Sequence, residues 1–348
     1  MRKLLLVAAI ASSLVACKRK KPEEALMPAP APPPATGSGS AGSAAAKPVT
    51  ADDLAKRYEE CWGFYNDSKW DDFKSCYATD AVSEHPGQRE LTITGNAAIV
   101  DGVKAGKAAL PDAKGQTELV LVSGHTVVGV SLLTATTPDK AKVGVMMPQV
   151  IEFDDAGKAK HQADFEDNAT VMGQMKPDPK HPVRAPIEKL PMVKEVAIAK
   201  NDDKEKANLD TANKAMAAFN AHDAKAFGAL LADDVVWSEQ PDPKDWNKTE
   251  TVTNAGAFWK AFGDVKLTAD NQYAAGDYVA TVGTLEGTND GDMPAMHLKK
   301  TGKHVQLPFL MIQKLDGGKI KSSWLFQQED AFEQQLGLRV TTPASSSK

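Results

Sequence analysis

The chain has 348 residues, of which 42% are hydrophobic and 25% are charged, and its formal net charge is -5. This composition is typical of soluble globular protein, and it excludes wholesale disorder and a multi-span membrane protein. The length allows two domains with a core each, and the mildly acidic balance gives no reason to expect a nucleic-acid partner.

The first sixteen residues are organised as a secretory signal. Arg2 and Lys3 precede an apolar run from Leu4 to Val15, which is too short to remain as a membrane-spanning helix. Residues 14–17 read Leu-Val-Ala-Cys and resemble the lipobox of bacterial lipoproteins, in which cleavage leaves the cysteine first and its sulfur carries lipid. The resemblance implies an anchor of acyl chains, such as palmitate, on Cys17. The alternative is an ordinary secretory signal that ends near Ala16.

Residues 17–48 are predicted to be a disordered tether. Four basic residues at 18–21 are followed by a stretch of Pro, Gly, Ser and Ala, a composition that cannot build a core. The residue after Cys17 is Lys18 rather than Asp, so the lipoprotein resemblance implies the outer membrane. We therefore expect a lipid-anchored location in the bacterial cell envelope, facing the periplasm.

The first domain is assigned to residues 49–176. Apolar spacings of three and four predict helices over 52–66 and 70–77 and a third helix through Ile99 to Ala108. The period then changes to two, which predicts four strands over 117–122, 126–136, 143–153 and 158–166. Helices followed by a meander of strands indicate an α+β fold.

Residues 177–204 are assigned to a linker, because prolines from Pro177 to Pro191 are too dense for a helix or a central strand. A short helix is predicted near Met192 to Asn201. The second domain, 205–340, repeats the order of the first, with helices over 209–221, 224–231 and 255–262. Its strands are predicted over 267–274, 278–286, 304–315 and 319–327.

The two domains also share sequence. The stretch FNAHDAKAFGALLADDVVWSEQP from Phe219 to Pro241 matches domain 1 at an offset of 154, so that Tyr65 falls under Phe219. After a one-residue insertion, Ser83 to Pro86 falls under Ser238 to Pro241. A register sustained over this length indicates a duplicated domain.

The helical opening, LLADDVVWSEQP, the turn DGGKI and the ending QQLG resemble the SnoaL-like polyketide cyclase branch of the nuclear transport factor 2-like superfamily. Domain 1 resembles this family more weakly, at residues 77–82 and 167–175. The resemblance covers about 50–175 and 205–338. It implies two tandem cone-shaped α+β barrels, each with three helices packed on a curved antiparallel sheet, and a pocket at the open end.

The resemblance also locates candidate catalytic positions. Isomerase relatives place an acidic general base just before the proline that follows the second helix, and here that position holds His85 in domain 1 and Gln240 in domain 2. In the cyclase branch an Asp ends the last strand, a position held here by Asp167 and Gln328. Domain 1 thus keeps titratable groups, whereas an amide cannot accept a proton.

Strand alternation places Phe165 on the face of Asp167, and Trp324 and Phe326 on the face of Gln328. We expect these faces to point into the cones, so that the aromatic residues and the two glutamines contact a ligand. Two alternatives stand beside the catalytic reading: Asp167 caps a helix over 169–174, and His85 lies at the pocket rim or in a turn.

Cys61 and Cys76 lie on adjacent predicted helices in a compartment that permits disulfides, and either a bridge or two buried free thiols is expected. The histidines show no metal-ligand spacing, and no cofactor motif occurs, so no metal and no cofactor are predicted.

The favoured function is non-catalytic binding of a small apolar ligand or of a protein partner. The alternative is an isomerase, cyclase or hydratase that uses Asp167 or His85 as general acid or base. A third reading is structural, in which one domain packs on the other or on a second copy in a homodimer.

Overall fold

A computed structural model describes residues 48–88, 91–178, 182–189, 194–294 and 298–338. The predicted signal, Cys17 and nearly all of the tether lie outside these described residues. The described part of the chain forms the two tandem α+β domains that the sequence predicts.

Domain 1 opens with three helices, α1 (Ala51–Asn66), α2 (Trp70–Ser75) and α3 (Asn96–Ala109). A capping box starts α1: the Thr50 hydroxyl accepts from the Asp53 backbone N–H, and the Asp53 carboxylate accepts from the Thr50 N–H. This exchange satisfies two amides that the helix leaves unpaired at its first turn.

The domain 1 sheet has the strand order β2-β1-β6-β5-β4-β3-β7. Its strands are β1 (Tyr77–Glu84), β2 (Ile93–Thr94), β3 (Lys114–Ser123), β4 (Thr126–Thr136), β5 (Lys142–Phe153), β6 (Ala159–Asp164) and β7 (Glu195–Ile198), and α4 (Asn168–Met175) lies between β6 and β7. The four predicted strands are β3 to β6. The sheet is mixed rather than antiparallel, since β1 pairs with β6 in parallel.

Domain 2 repeats this plan with a five-stranded sheet of order β8-β12-β11-β10-β9. Its helices are α5 (Asp203–Asn220), α6 (Ala224–Leu230), α7 (Lys248–Ala261) and α8 (Glu329–Leu336), and its strands are β8 (Leu231–Glu239), β9 (Lys266–Ala275), β10 (Tyr278–Thr288), β11 (His304–Asp316) and β12 (Lys319–Gln327). Here too β8 pairs with β12 in parallel.

The linker contains a strand where a short helix near 192–201 was predicted. Residues Glu195–Ile198 form β7, which pairs in parallel with β3 at the edge of the domain 1 sheet. The helix prediction is wrong because an open sheet edge offers backbone partners at once, whereas so short a helix has no favourable nucleus. Helix α5 then begins at Asp203, capped by Asp202.

The two sheets pack against each other through one shared apolar cluster. Leu121, Val130 and Phe165 from domain 1 lie in the same buried cluster as Leu310, Trp324 and Phe326 from domain 2. Each domain also has its own core on the helical side of its sheet. Both faces of each sheet are therefore buried, one under helices and one under the other sheet.

None of the helices in the described ranges combines the length and the apolarity needed to cross a bilayer.

Candidate functional site

A cavity of about 70 Å³ opens in domain 1 between α1 and the helical face of the sheet. Most of its wall is apolar, formed by Trp62, Phe73, Val103, Leu133, Met147 and Ile151. Helix α1 supplies Tyr58, Cys61, Trp62 and Tyr65 from one side, because residues three and four apart share a helix face.

Gly129 on β4 makes room for Tyr58 at the floor of this cavity. A Cβ atom at Gly129 would come within 2.2 Å of the Tyr58 ring. The ring can therefore approach the backbone of β4 closely, and its hydroxyl reaches Ser131 and Gln149 on the sheet, each at 3.1 Å.

The polar floor of the cavity is a hydrogen-bonded network centred on Asp164. The Asp164 carboxylate accepts from Gln149 Nε2 at 2.6 Å, from Gln162 Nε2 at 2.9 Å and from Ser83 Oγ at 3.3 Å. Tyr77 donates its hydroxyl to Gln162 Oε1 at 3.0 Å. Gln149 and Gln162 line the cavity, and the carboxylate lies behind their two amides.

Burial sets the proton affinity of Asp164. The side chain is 1% exposed, and desolvation together with the nearby charge of Glu166 raises its pKa above the ordinary aspartate value. The positive charge of His85 opposes this rise most, followed by the donors Gln149 and Gln162, because each of them stabilises the ionised form.

A disulfide closes one end of the cavity. Cys61 on α1 and Cys76 after α2 are joined, with their Cα atoms 6.1 Å apart, so the bridged alternative is the one that the structure adopts. Cys61 itself lines the cavity, and the bridge ties the first helix to the start of β1.

His85 lies outside the cavity wall, in a buried ion pair. Its Nδ1 is 3.0 Å from Glu166 Oε1, and only 2% of its side chain is exposed. Burial alone would lower the pKa of His85, but the negative charge of Glu166 and the contact with it, reinforced by Asp164 and Glu84, raise that pKa to about 9.

Asp167 is the N-cap of α4, which was the alternative to a catalytic role. Its carboxylate accepts from the backbone N–H groups of Ala169 and Thr170 and from the Thr170 hydroxyl at 2.6 Å. It also accepts from the N–H of Glu329 at the start of α8 in domain 2. Burial raises the pKa of Asp167, but the group points at two helix ends rather than into the cavity.

Gln240 and Gln328 meet domain 1 at the junction between the domains. Gln328 donates Nε2 to the backbone oxygen of Glu166 at 2.5 Å and accepts from Gln88 at 2.8 Å. The backbone oxygen of Gln240 accepts from the Thr170 hydroxyl at 3.4 Å. The candidate positions of the two copies thus come together in space, at a contact between domains.

The aromatic residues predicted to line the cones lie elsewhere. Phe165, Trp324 and Phe326 belong to the apolar cluster between the two sheets, so their placement inside a cone is wrong. Alternation identified correctly which residues share a face, but it could not say which face points inward. The apolar face was taken as the interior, although here it is buried by the other domain.

The inward face of β6 instead carries Gln162 and Asp164, the residues that alternate with Ala163 and Phe165. The available signal was the alternation of polar Gln162, Asp164 and Glu166 with apolar Ala163 and Phe165. In a strand buried on both faces, such a polar row indicates an internal hydrogen-bonded network.

The strand register changes one equivalence between the copies. Val82 in β1 and Val236 in β8 occupy the same position in the pairing of their strands, and so do Glu84 and Ser238. The members of each pair are 154 residues apart, so the repeat continues at this offset, without the one-residue insertion that the sequence comparison assumed. The residue after Glu84 is His85, and it therefore corresponds to Glu239 rather than to Gln240. Burial raises the pKa of Glu239 to about 8, so domain 2 is titratable at this position.

Domain 2 replaces the polar floor with apolar residues. Gln149 faces Asp164 across β5 and β6, and the matching pair in β11 and β12 is Met311 and Leu325. Aromatic rings fill this core: Phe219 packs on Trp259 at 5.4 Å, and Phe227 packs on Trp237 at 5.9 Å between ring centroids.

Within the described ranges, no group of three or more His, Cys, Asp and Glu side chains is arranged to hold a metal ion.

Parts of the chain are similar to solved structures. A suggested hydroxylase from Streptomyces galilaeus is 20% identical, covers 39% of this chain and 99% of its own, and has a TM-score of 0.36. A suggested polyketide cyclase from Streptomyces antibioticus is 22% identical, with 37% and 98% covered and a TM-score of 0.34. A suggested SnoaL-like polyketide cyclase from Jannaschia sp. CCS1 is 14% identical, with 41% and 99% covered and a TM-score of 0.38.

No curated protein sequence matches the chain significantly. The model of the SnoaL-like domain matches residues 55–162 and again residues 212–323, together more than half of the chain. The chain therefore belongs to the family of SnoaL-like domains, of which it carries two in tandem.

Proposed function

We propose that the protein is a binding protein of the bacterial cell envelope, and that its first SnoaL-like domain holds a small apolar ligand without transforming it. One observation carries this proposal. The described residues that line the cavity are apolar side chains, tyrosines, two glutamine amides and a disulfide cysteine, and they include no carboxylate and no histidine. An apolar pocket with a few fixed polar groups is typical of a binding site.

The two copies have separate roles in this proposal. Domain 1 keeps a cavity with a polar floor, whereas domain 2 has Met311 and Leu325 at the matching positions. Packing between the sheets supports domain 1 from behind, since Phe165 and Trp324 share one apolar cluster. Domain 2 is thus proposed as a scaffold, and a homodimer is not needed to cover the face of the domain 1 sheet.

A cavity-filling series tests ligand binding. Small apolar compounds are screened for an increase in the melting temperature of the mature chain, and hits are measured again on Val103→Leu and Val103→Phe. We expect the affinity to fall progressively, because Val103 lines the cavity. Val265→Phe in the domain 2 core is the control and should keep the affinity. Hits that bind all four proteins equally would contradict the proposed site.

The anchor is proposed from the signal and from Leu-Val-Ala-Cys at residues 14–17. Lipid on Cys17 would hold the domains at the outer membrane, facing the periplasm, on a tether of about 30 residues with a root-mean-square reach of roughly 30 Å. Cys17→Ala is expected to shift the protein from the membrane to the soluble fraction. An unmodified Cys17 in the N-terminal peptide of the native protein, measured by mass spectrometry, would contradict the anchor.

The second candidate is a cofactor-independent isomerase, cyclase or hydratase. It is favoured by Asp164, a buried carboxyl of raised pKa directly behind two cavity amides. His85 and Asp167 were the predicted acid or base, and neither lies among the residues that line the cavity. If a turnover is found, Asp164→Asn should abolish it. A turnover that survives in Asp164→Asn but is lost in His85→Gln would restore the original assignment.

A further inference from the structure

The disulfide of domain 1 closes a loop that forms one wall of the cavity. Residues 61–76, which we call the wall segment, contain the end of α1 and the whole of α2. The bridge joins the two ends of this segment. The segment contributes Cys61, Trp62, Tyr65 and Phe73 to the lining. The position of the wall segment therefore sets the shape of the cavity on the side that faces the sheet.

The wall segment has little stability of its own. Helix α2 has six residues, and in the described part of the chain the side chain of its N-cap, Lys69, makes no capping bond to it. A helix this short has no favourable nucleus. The turn before it contains Ser68 with a φ of 57°, a conformation that is uncommon for residues other than glycine. Such a segment opens locally unless contacts from outside hold it.

Domain 2 holds the corresponding segment by packing. At the offset of 154, Cys61 corresponds to Ala215 and Cys76 to Leu230, and these two residues lie in or against the apolar core of domain 2. Aromatic rings fill that core. The copy with a filled core thus uses side-chain contacts, whereas the copy with a cavity uses a covalent bond at the same two positions. We infer that the disulfide replaces contacts that the cavity removes.

The two cysteines differ in their exposure. Cys61 is half-buried and lines the cavity, whereas Cys76 is only 2% exposed. An incoming thiolate therefore attacks Cys61, because access decides which sulfur of a disulfide reacts. A ligand in the cavity would lie beside this sulfur.

Reduction by a dithiol proceeds in two exchange steps. One sulfur of the dithiol bonds to Sγ of Cys61, and the bond between the two cysteines breaks as Cys76 leaves as a thiolate and takes a proton from water. The second sulfur then attacks the first, so the reductant leaves as a disulfide and Cys61 is freed as a thiol. Two electrons and two protons pass from the dithiol to the protein.

We propose that the disulfide between Cys61 and Cys76 is a redox switch for ligand retention: when oxidised it holds the wall segment in place around the cavity, and its reduction by a dithiol loosens that segment and releases the ligand. This inference rests on the proposed function, since it regulates the same cavity. Linkage makes the effect reciprocal. A ligand with a tenfold preference for the oxidised protein lowers the reduction potential of the disulfide by about 30 mV at saturation.

Xenon is the probe that tests the switch, because it enters apolar cavities and needs no hydrogen bond. Its affinity is measured on the mature chain from methyl shifts under xenon pressure, before and after reduction with dithiothreitol. We expect reduction to weaken xenon binding at Leu133, Met147 and Ile151, which line the cavity, about tenfold. Cys76→Ala is the matched variant, because it lacks the bridge but keeps Cys61 in the lining. It should bind xenon as weakly as the reduced wild type, with or without dithiothreitol.

Hydrogen exchange shows where the structure loosens. The backbone N–H of Phe73 donates to the oxygen of Lys69 in the wall segment. On reduction its exchange should become at least tenfold faster, whereas the exchange of the Leu133 amide on β4 should not change. Unchanged exchange at Phe73 would contradict a loosened wall.

The outcomes separate the switch from ligand binding. Equal xenon affinity of the oxidised and reduced proteins would overturn the switch and leave the cavity as a binding site. Absence of xenon shifts at the three cavity residues of the oxidised protein would contradict the proposed function as well. Loss of all dispersed domain 1 signals on reduction would also overturn the switch, because the disulfide would then hold the whole fold rather than one wall.

Discussion

The buried pair of His85 and Glu166 makes a testable contribution to stability. The pKa of His85 is raised to about 9 in the folded protein, against an unfolded value near 6.5. A histidine with a raised pKa stabilises the fold fully below the unfolded pKa, and this contribution is lost as the pH rises through the folded pKa. The relevant window therefore runs from about pH 6.5 to about pH 9.

His85→Gln tests this linkage. We expect its cost in unfolding free energy, from urea denaturation, to be greatest near pH 6 and to shrink by about 3 kcal/mol by pH 9.5. Burial also raises the pKa of Glu239 and that of Glu329 to about 8. The test therefore compares the variant with the wild type at each pH, and the difference in their unfolding free energies is what decides. A difference that does not vary with pH would contradict the charged pair.

Asp164 gives a second prediction at the scale of one residue. Its carboxylate accepts from Gln149, Gln162 and Ser83, and Asn at this position would oppose one of those donors with its own amide. We expect Asp164→Asn to lose about 1–3 kcal/mol of stability in urea denaturation. Asp80→Asn, at an exposed position of β1, is the control and should cost far less. If Asp164→Asn and Asp80→Asn lost the same amount of stability, the hydrogen bonds around Asp164 would contribute nothing to the stability of the fold.

Single residues were the least predictable part of the site. His85 and Asp167 are buried polar residues whose partners come from other strands and from domain 2, as the contact between Asp167 and Glu329 shows. Sequence spacing gives no information about such contacts. Asp164 was overlooked because alternation leaves the inward face undetermined when both faces are buried.

At the scale of one element, α4 depends on its cap. Asp167 accepts from two backbone amides of α4 and from the first amide of α8. We expect Asp167→Ala to cost about 1–2 kcal/mol, as typical caps do, and Asp167→Asn to cost much less because Asn also caps helices. The measurement is urea denaturation of the three proteins. If Asp167→Ala and Asp167→Asn lost the same amount of stability, the negative charge of Asp167, and not its capping hydrogen bonds, would be what stabilises the fold.

The disulfide of domain 1 ties α1 to the start of β1. Cys61 and Cys76 are separated by 15 residues, and closing a loop of this length stabilises a fold by about 3 kcal/mol in the chain-entropy model. The double variant Cys61→Ala, Cys76→Ala should therefore lose about that amount in urea denaturation. Dithiothreitol should destabilise the wild type and leave the double variant unchanged. A wild type that is insensitive to complete reduction would contradict this role.

Helices and strands with strong periodicity were predictable, and those without it were not. Strand β12 was predicted with its observed bounds, Lys319–Gln327. Strands β1 and β8 were missed because they run directly on from short helices. Strand β7 was mistaken for a helix, since its four residues form a strand only by pairing with β3.

At the scale of the whole molecule, the two domains are joined through their sheets. Trp324 is 4% exposed in the cluster that both sheets share. Trp324→Ala should cost about 3–5 kcal/mol, and in calorimetry it should separate a single unfolding transition into two, because the shared cluster couples the domains. A wild type that already unfolds in two transitions would contradict this coupling.

The duplication itself was evident from the sequence repeat, whereas the face-to-face packing of the two sheets was not evident from the sequence.

The most direct test of ligand binding in the first cone is a methyl NMR titration of the mature protein with the tightest-binding compound from the screen of small apolar compounds. We predict saturable shifts at Val103, Leu133, Met147 and Ile151, which line the domain 1 cavity, and none at Met311 in domain 2. Absence of saturable shifts at the four cavity residues, or equal shifts at Met311, would contradict the account.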